Sequence, residues 1–508
     1  MKKFSMFLTV LLLVGLVTTV GAQGVSYGLP WNTSYQIANL GDGAANVRVD
    51  YYNADGVTTP GMSRDFPNVP VGGSITVLQA TEATLGTGMW SAVVSADQPI
   101  AAVANQQTDS GNGDSQPPFS SYSGASEGAT SVLLPVVMYN WYGYYTEVMI
   151  QNVGGGTATV NIEYIPTVRA DGCTAGAVYN PSSVPIPQYA GTMLTQLTLV
   201  QLGAPAVAGC EAYTGRFLGA AKITSNEPVV AVVNQHVQGK LFTYNGFSSS
   251  GTTVVLPAYM RNYFGYYASL TIANPGATDA EVKITYSSDA TFSNPASTSV
   301  VVTHTVAAGA SVVRYDGPTG NTAADSDLFG TFPNEAGYRF FGSVVLESDV
   351  PIVAIVNQEA LPAAGAQAGT YNGMFTSEGT GKISVPLIQS GFYGYYTSLT
   401  IVTVDGGEAT VKITYTSDGT FSSVKNQTQD YTHTTVGGFL NRYEGPLATA
   451  AQSDILDDVA WFDGTNRRFI GSAVIEVVSG SDIVAFVNSE KSVAGMDSMY
   501  TFNAFNLQ

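Results

Sequence analysis

The sequence predicts an all-β protein built as four tandem β-sandwich modules, and three observations carry that prediction. One phrase recurs four times: Pro99-Ile-Ala-Ala-Val-Ala-Asn105, Pro228-Val-Val-Ala-Val-Val-Asn234, Pro351-Ile-Val-Ala-Ile-Val-Asn357 and Asp482-Ile-Val-Ala-Phe-Val-Asn488. Its copies lie roughly 125 residues apart, the size of a small domain and too long for a solenoid repeat. Ahead of each copy runs a segment with apolar residues at every second position, as in Val282-Lys-Ile-Thr-Tyr286. Turn residues punctuate these segments at regular spacing and no helical period is visible, which together read as short antiparallel strands.

The elements follow in chain order. Met1-Lys2-Lys3, an apolar stretch from Phe7 and the small residues before Ala22 have the layout of a secretory signal peptide, residues 1–22, cleaved after Ala22. Four modules are expected at 23–130, 131–252, 253–382 and 383–508. Within each, a β-rich run ending at Asn39, Asn152, Asn274 or Thr403 forms a hairpin with the alternating strand that starts at Val47, Val160, Val282 or Val411. Asp-Gly and Ser-Asp turns lead to a further strand pair around Gly72, Gly309 and Gly437. Arg216, Arg339 and Arg468 open the strands that feed the recurring phrase, whose unbroken apolarity is that of a strand covered on both sides. An aromatic segment closes each module, as in Phe242-Thr-Tyr-Asn-Gly-Phe247.

The pattern Ile-x-Asn-x-Gly followed by Val-x-Ile-x-Tyr, carried by Ile150 to Tyr164 and Ile272 to Tyr286, resembles the tandem immunoglobulin-like sandwiches of bacterial secreted and cell-surface proteins. The resemblance implies four immunoglobulin-like modules in a linear array, displayed at a surface for adhesion or as part of a structural lattice. It transfers no catalytic residue, because such modules share a fold without sharing a function.

Composition narrows the partners. The 508 residues carry a formal net charge of −19, which argues against nucleic acid and anionic lipid, and only 11% of residues are charged. No apolar run long enough for a membrane span follows the leader, so no membrane insertion is expected after cleavage. The two cysteines, Cys173 and Cys210, both fall in the second module and would pair in an oxidising compartment.

The conspicuous candidate site is an aromatic loop present in three modules: Trp141, Tyr142, Tyr144 and Tyr145; Tyr263, Phe264, Tyr266 and Tyr267; Phe392, Tyr393, Tyr395 and Tyr396. Each group is interrupted by one glycine, Gly143, Gly265 or Gly394, and the first module lacks the loop. Three loops match three junctions, so each is expected to pack on the module before it and stiffen a rod. The alternative is a set of flat platforms for the apolar faces of sugar rings.

Catalytic chemistry is not expected. No Gly-x-Ser-x-Gly elbow and no His-Glu-x-x-His run occurs, and His304 and His433 hold equivalent places in two modules. Asp325 and Asp327, the group Asp454, Asp457, Asp458 and Asp463, and the loop from Asp109 to Asp114 are oxygen-rich segments of the kind that suit calcium; no other cofactor is expected. Asn105, Asn234, Asn357 and Asn488 read as strand-terminal residues bonding their own backbone. The sequence therefore points to a secreted, non-catalytic structural or adhesive surface protein, self-assembling or bound to other surface proteins, with carbohydrate binding as the alternative.

Overall fold

The computed structural model describes residues 9–14, 31–58, 61–79, 85, 88–108, 118–167, 183–195, 217–237, 239–320, 322–361, 367–446, 452–456, 458–462, 467–491 and 499–507. Strands dominate, every pairing is antiparallel, and no α-helix is present among the described residues. Cys173 and Cys210 lie outside the described residues, as do Asp109, Asp114, Asp457 and Asp463.

One topology recurs four times. In the third repeat the alternating strand Ala280–Ser288 pairs with Ser299–Val306 on one side and with the first half of the 21-residue strand Phe340–Ala360 on the other. The second half of that long strand crosses into another sheet, where it pairs with Tyr266–Ala273 and Ala368–Asn372. An opening strand, Gly251–Arg261, covers the free edge of the first half. In the fourth repeat the opening strand Lys382–Phe392 also reaches Tyr395–Thr403 through Phe392 and Tyr395, which joins the two sheets and makes the unit nearly barrel-shaped.

Residue chemistry explains the hairpins. Asn152 is fully buried; its Nδ2 donates to the carbonyls of Gly156 and Ile186, and its Oδ1 accepts from the Gly154 amide. Asn39 and Asn274 repeat the clamp, and Thr403 keeps part of it by donating to Gly407. One side chain thus satisfies backbone groups that the turn leaves without ladder partners.

The first repeat has its alternating strand at Ala45–Tyr52 and its long strand broken into Trp90–Ala96 and Ile100–Thr108. Its opening-strand position is taken by Thr9–Val14, antiparallel to Trp90–Ala96 with Val10 opposite Val94. The apolar segment read as a leader therefore occupies the edge that Ala129–Tyr139 covers in the second repeat.

The repeats do not form a rod. Their closing strands, Phe119–Ser123, Lys240–Asn245, Ala368–Asn372 and Tyr500–Asn503, lie side by side around a common axis, and the fourth meets the first. Around that axis the Nδ2 of Asn245 donates to the Ser123 carbonyl, that of Asn372 to Asn245 and that of Asn503 to Asn372, at 2.7–2.8 Å. Ser123 Oγ then closes the circle on the Asn503 carbonyl at 3.3 Å. The physical reason is burial. The alternating strands show one face to solvent, but Tyr145–Asn152 and its counterparts are largely buried on both faces, and another repeat provides the cover on the second. In a row one such face would stay wet; in a ring all four are covered. Met149 and Val232 accordingly sit in the core of the first repeat, and Val402, Phe439, Val484 and Phe486 in that of the third. Each such side chain contributes about 2 kcal/mol.

Candidate functional site

Each aromatic loop is a two-residue hairpin. Tyr142-Gly143, Phe264-Gly265 and Tyr393-Gly394 have φ of 50° and 85°, 49° and 86°, and 48° and 83°. Positive φ at both central positions is the turn whose twist suits paired strands, and Asn-Gly is its usual occupant. An aromatic residue in the first position carries a conformational cost, of order 1 kcal/mol or more. All three loops keep it there.

The four aromatics of each loop divide by role. Trp141, Tyr263 and Phe392 anchor the hairpin; Tyr263, for example, stacks on Phe341 with centroids 4.8 Å apart. Tyr142, Phe264 and Tyr393 stand at the tips, 73%, 67% and 65% exposed, each edge-on to its anchor. Tyr144, Tyr266 and Tyr395 point into the seam with the following repeat. Tyr266 donates to Glu490 at 2.6 Å, and Tyr395 packs on Phe119 of the first repeat. Tyr145 and Tyr267 donate back to Asn140 and Asn262, and Tyr396 is half-buried on the second strand. The loops therefore pack on the repeat after them, not the one before. The first repeat, which lacks a loop, meets the second with Tyr52 against Tyr189 and Ser91 bonded to the Tyr189 carbonyl.

Two equivalent clefts open beneath the tips. The one between the second and third repeats has a volume of about 440 Å³ and is lined by Tyr142, Tyr144, Tyr315, Asn357 and Glu359. The one between the third and fourth, about 380 Å³, is lined by Phe264, Tyr266, Tyr443, Asn488 and Glu490. Burial pushes the Glu490 carboxyl above its ordinary range, against the pull of the Tyr266 and Tyr443 hydroxyls.

The acidic residues singled out in the sequence are engaged internally. Asp327 accepts from Tyr286 and Arg314 and faces His304 Nε2, all at 2.9 Å; Asp454 repeats this with Tyr415, Arg442 and His433. Burial alone would raise both carboxyls, but the histidine hydrogen bonds and arginine charges hold them below the usual range. Asp458 accepts from Tyr431, and Asp325 from Thr322. No group of three metal-ligating side chains forms among the described residues.

The recurring asparagines lie within their strands, not at the ends. Asn234 donates to Gln106 and Asn357 to Gln235, each across a seam. Sequence reasoning missed the position two residues further on, which reads Gln107, His236, Glu359 and Glu490. The signal was available as an aligned site just after the phrase where an amide, an imidazole and two carboxylates replace one another.

No protein-family model matches the chain. No curated protein matches it either. Among solved structures, the Thermotoga maritima protein 1070 is 18% identical over 25% of this chain and 96% of its own, with a TM-score of 0.19. The serine-rich repeat protein Srr2 of Streptococcus agalactiae is 10% identical over 55% of this chain and 85% of its own, TM-score 0.13. A family 78 rhamnosidase of Bacillus sp. GL1 is 8% identical over 67% and 54%, TM-score 0.12.

Proposed function

We propose that the chain is an exported, non-catalytic adhesive protein of the bacterial surface, built from four immunoglobulin-like sandwiches and binding saccharide through its aromatic hairpin tips. The observation that carries this reading is the retention of Tyr142, Phe264 and Tyr393 in left-handed, exposed positions that their own backbone disfavours. Such rings touch their anchors by an edge and leave most of their surface to solvent. A flat, solvent-facing aromatic is the arrangement that stacks against a sugar ring, and two of the three tips stand beside a cleft. Export rests on the leader pattern of residues 1–22, whose cleavage would remove Thr9–Val14 and uncover the Trp90–Ala96 edge, and the absence of catalysis on acids whose oxygens are taken by the chain's own arginine, histidine and tyrosine groups. A lattice role finds less support, since the ring turns the faces of the terminal repeats toward each other.

The test is co-sedimentation of the full chain with insoluble polysaccharides, compared with the triple variant Tyr142→Asn, Phe264→Asn, Tyr393→Asn. Asparagine suits the turn, so the variant is expected to melt at or above the parent temperature while losing at least tenfold in saccharide affinity. Retained binding in a folded variant would end this reading.

A further inference from the structure

The two clefts share a plan, with Ser269 and Ser398, Tyr315 and Tyr443, Asn357 and Asn488, and Glu359 and Glu490 in equivalent places, and they differ in what the carboxylate meets. Between the second and third repeats, Lys240 Nζ reaches across the seam to Glu359 at 2.9 Å and donates to the Ala360 carbonyl at 3.3 Å. The third repeat carries Gln367 at the place of Lys240, since Asn245 and Asn372 align. Its Nε2 makes the matching bond across the next seam, to the Lys491 carbonyl at 3.2 Å. The aligned carboxylate there is Glu490. Among the described residues no cation pairs with it; it holds only the hydroxyls of Tyr266 at 2.6 Å and Tyr443 at 3.4 Å.

We infer that the cleft between the third and fourth repeats is a binding site for an organic ammonium group, which takes on Glu490 the place that the Lys240 side chain takes on Glu359. Three features support it besides the missing lysine. A buried acceptor in the cleft lining lacks a partner: Asn488 is 8% exposed and its Oδ1 receives no hydrogen bond. An ammonium brings three donors and no acceptor. The walls are aromatic, from Tyr263, Phe264, Tyr266 and Tyr443, and ring faces attract a desolvated cation. The space, about 380 Å³, admits a small amine or one amino-sugar ring. The equivalent position in the second repeat is His236, which faces Glu147 at 3.9 Å, so that seam carries an imidazole where the later two carry a carboxylate.

This site is separate from the hairpin tips, and its ligand class differs from a neutral saccharide. Titration calorimetry of the full chain with 1,4-diaminobutane, with glucosamine and with glucose tests it. One amine per chain is expected, with glucose silent at this site; binding of both amines assigns recognition to the ammonium alone, and binding of glucosamine only assigns it to ammonium and ring together. Gln367→Lys should supply the internal cation and abolish amine binding, while Lys240→Gln should raise the stoichiometry from one to two. Glu490→Gln should weaken binding at least tenfold. Failure of both amines to bind the parent chain, or undiminished binding in folded Gln367→Lys, overturns the inference. Saccharide capture by the tips could survive either result, so the two readings fail independently.

Discussion

The third and fourth repeats bury the same acid in opposite ways. In the third, Asp316 is fully buried beside Arg261, which is also fully buried and further donates to the carbonyls of Phe332 and Gly320. In the fourth, the arginine position is Ser390 and the acid is Glu444, capped by Ser453 and by the amides of Asp454 and Ile455. Burial, with the charge of Asp454 added, pushes Glu444 up to about 7. One repeat sets a guanidinium against its buried acid, and the other only hydroxyl and amide donors. Burial raises the Asp316 carboxyl as it raises Glu444, so both units carry pH dependence and only the third adds an ion pair to it.

The comparison breaks hardest at Arg261. Replacing it with methionine strands Asp316 without its charge partner, and urea denaturation should show a loss of about 3–5 kcal/mol. Glu444 sharpens it next. Its folded pKa of about 7 lies above the unfolded value of 4.5, so its contribution is complete below pH 4.5 and is lost as pH rises through 7. Asp454 acts in the opposite sense, since its lowered pKa adds stability that disappears on acidification. Melting followed by circular dichroism should therefore decline between pH 4.5 and about pH 7 and level off above that, and Glu444→Gln should flatten the decline; an unchanged slope would contradict the protonated acid. The smallest effect belongs to Ser390→Ala. It removes one hydrogen bond to the Glu444 carbonyl and should cost about 1 kcal/mol in the same denaturation experiment, well short of Arg261→Met.

Much of this was legible in the chain. Val282, Ile284 and Tyr286 alternate with polar residues because one sheet face meets solvent, and period-2 patterning reports that directly. The unbroken apolarity of the recurring phrase correctly signalled cover on both faces, but patterning cannot say what provides the cover. That is why a rod and a ring were indistinguishable. The seam is written in single residues, such as Asn245 and Asn372, that are far apart in sequence and carry no local period. Direction was lost for the same reason: Tyr266 meets Glu490 of the following repeat, and an aromatic cluster records that it packs without recording where. The acid pair of the fourth repeat escaped notice because Glu444 looks like any surface glutamate until its turn is folded around it. The aromatic tips were visible as a cluster with one glycine, but the two-residue turn they form was not, because an aromatic residue is an unusual occupant of its first position.

A circle closed within one polypeptide is indifferent to dilution. Four separate chains arranged this way would come apart below their dissociation constant, and any substitution would appear at every contact at once. Here the fourth repeat meets the first by a unimolecular step, and each contact is free to diverge by itself. The succession of Gln107, His236, Glu359 and Glu490 at one aligned position displays that freedom: the covalent chain has made four addresses out of one.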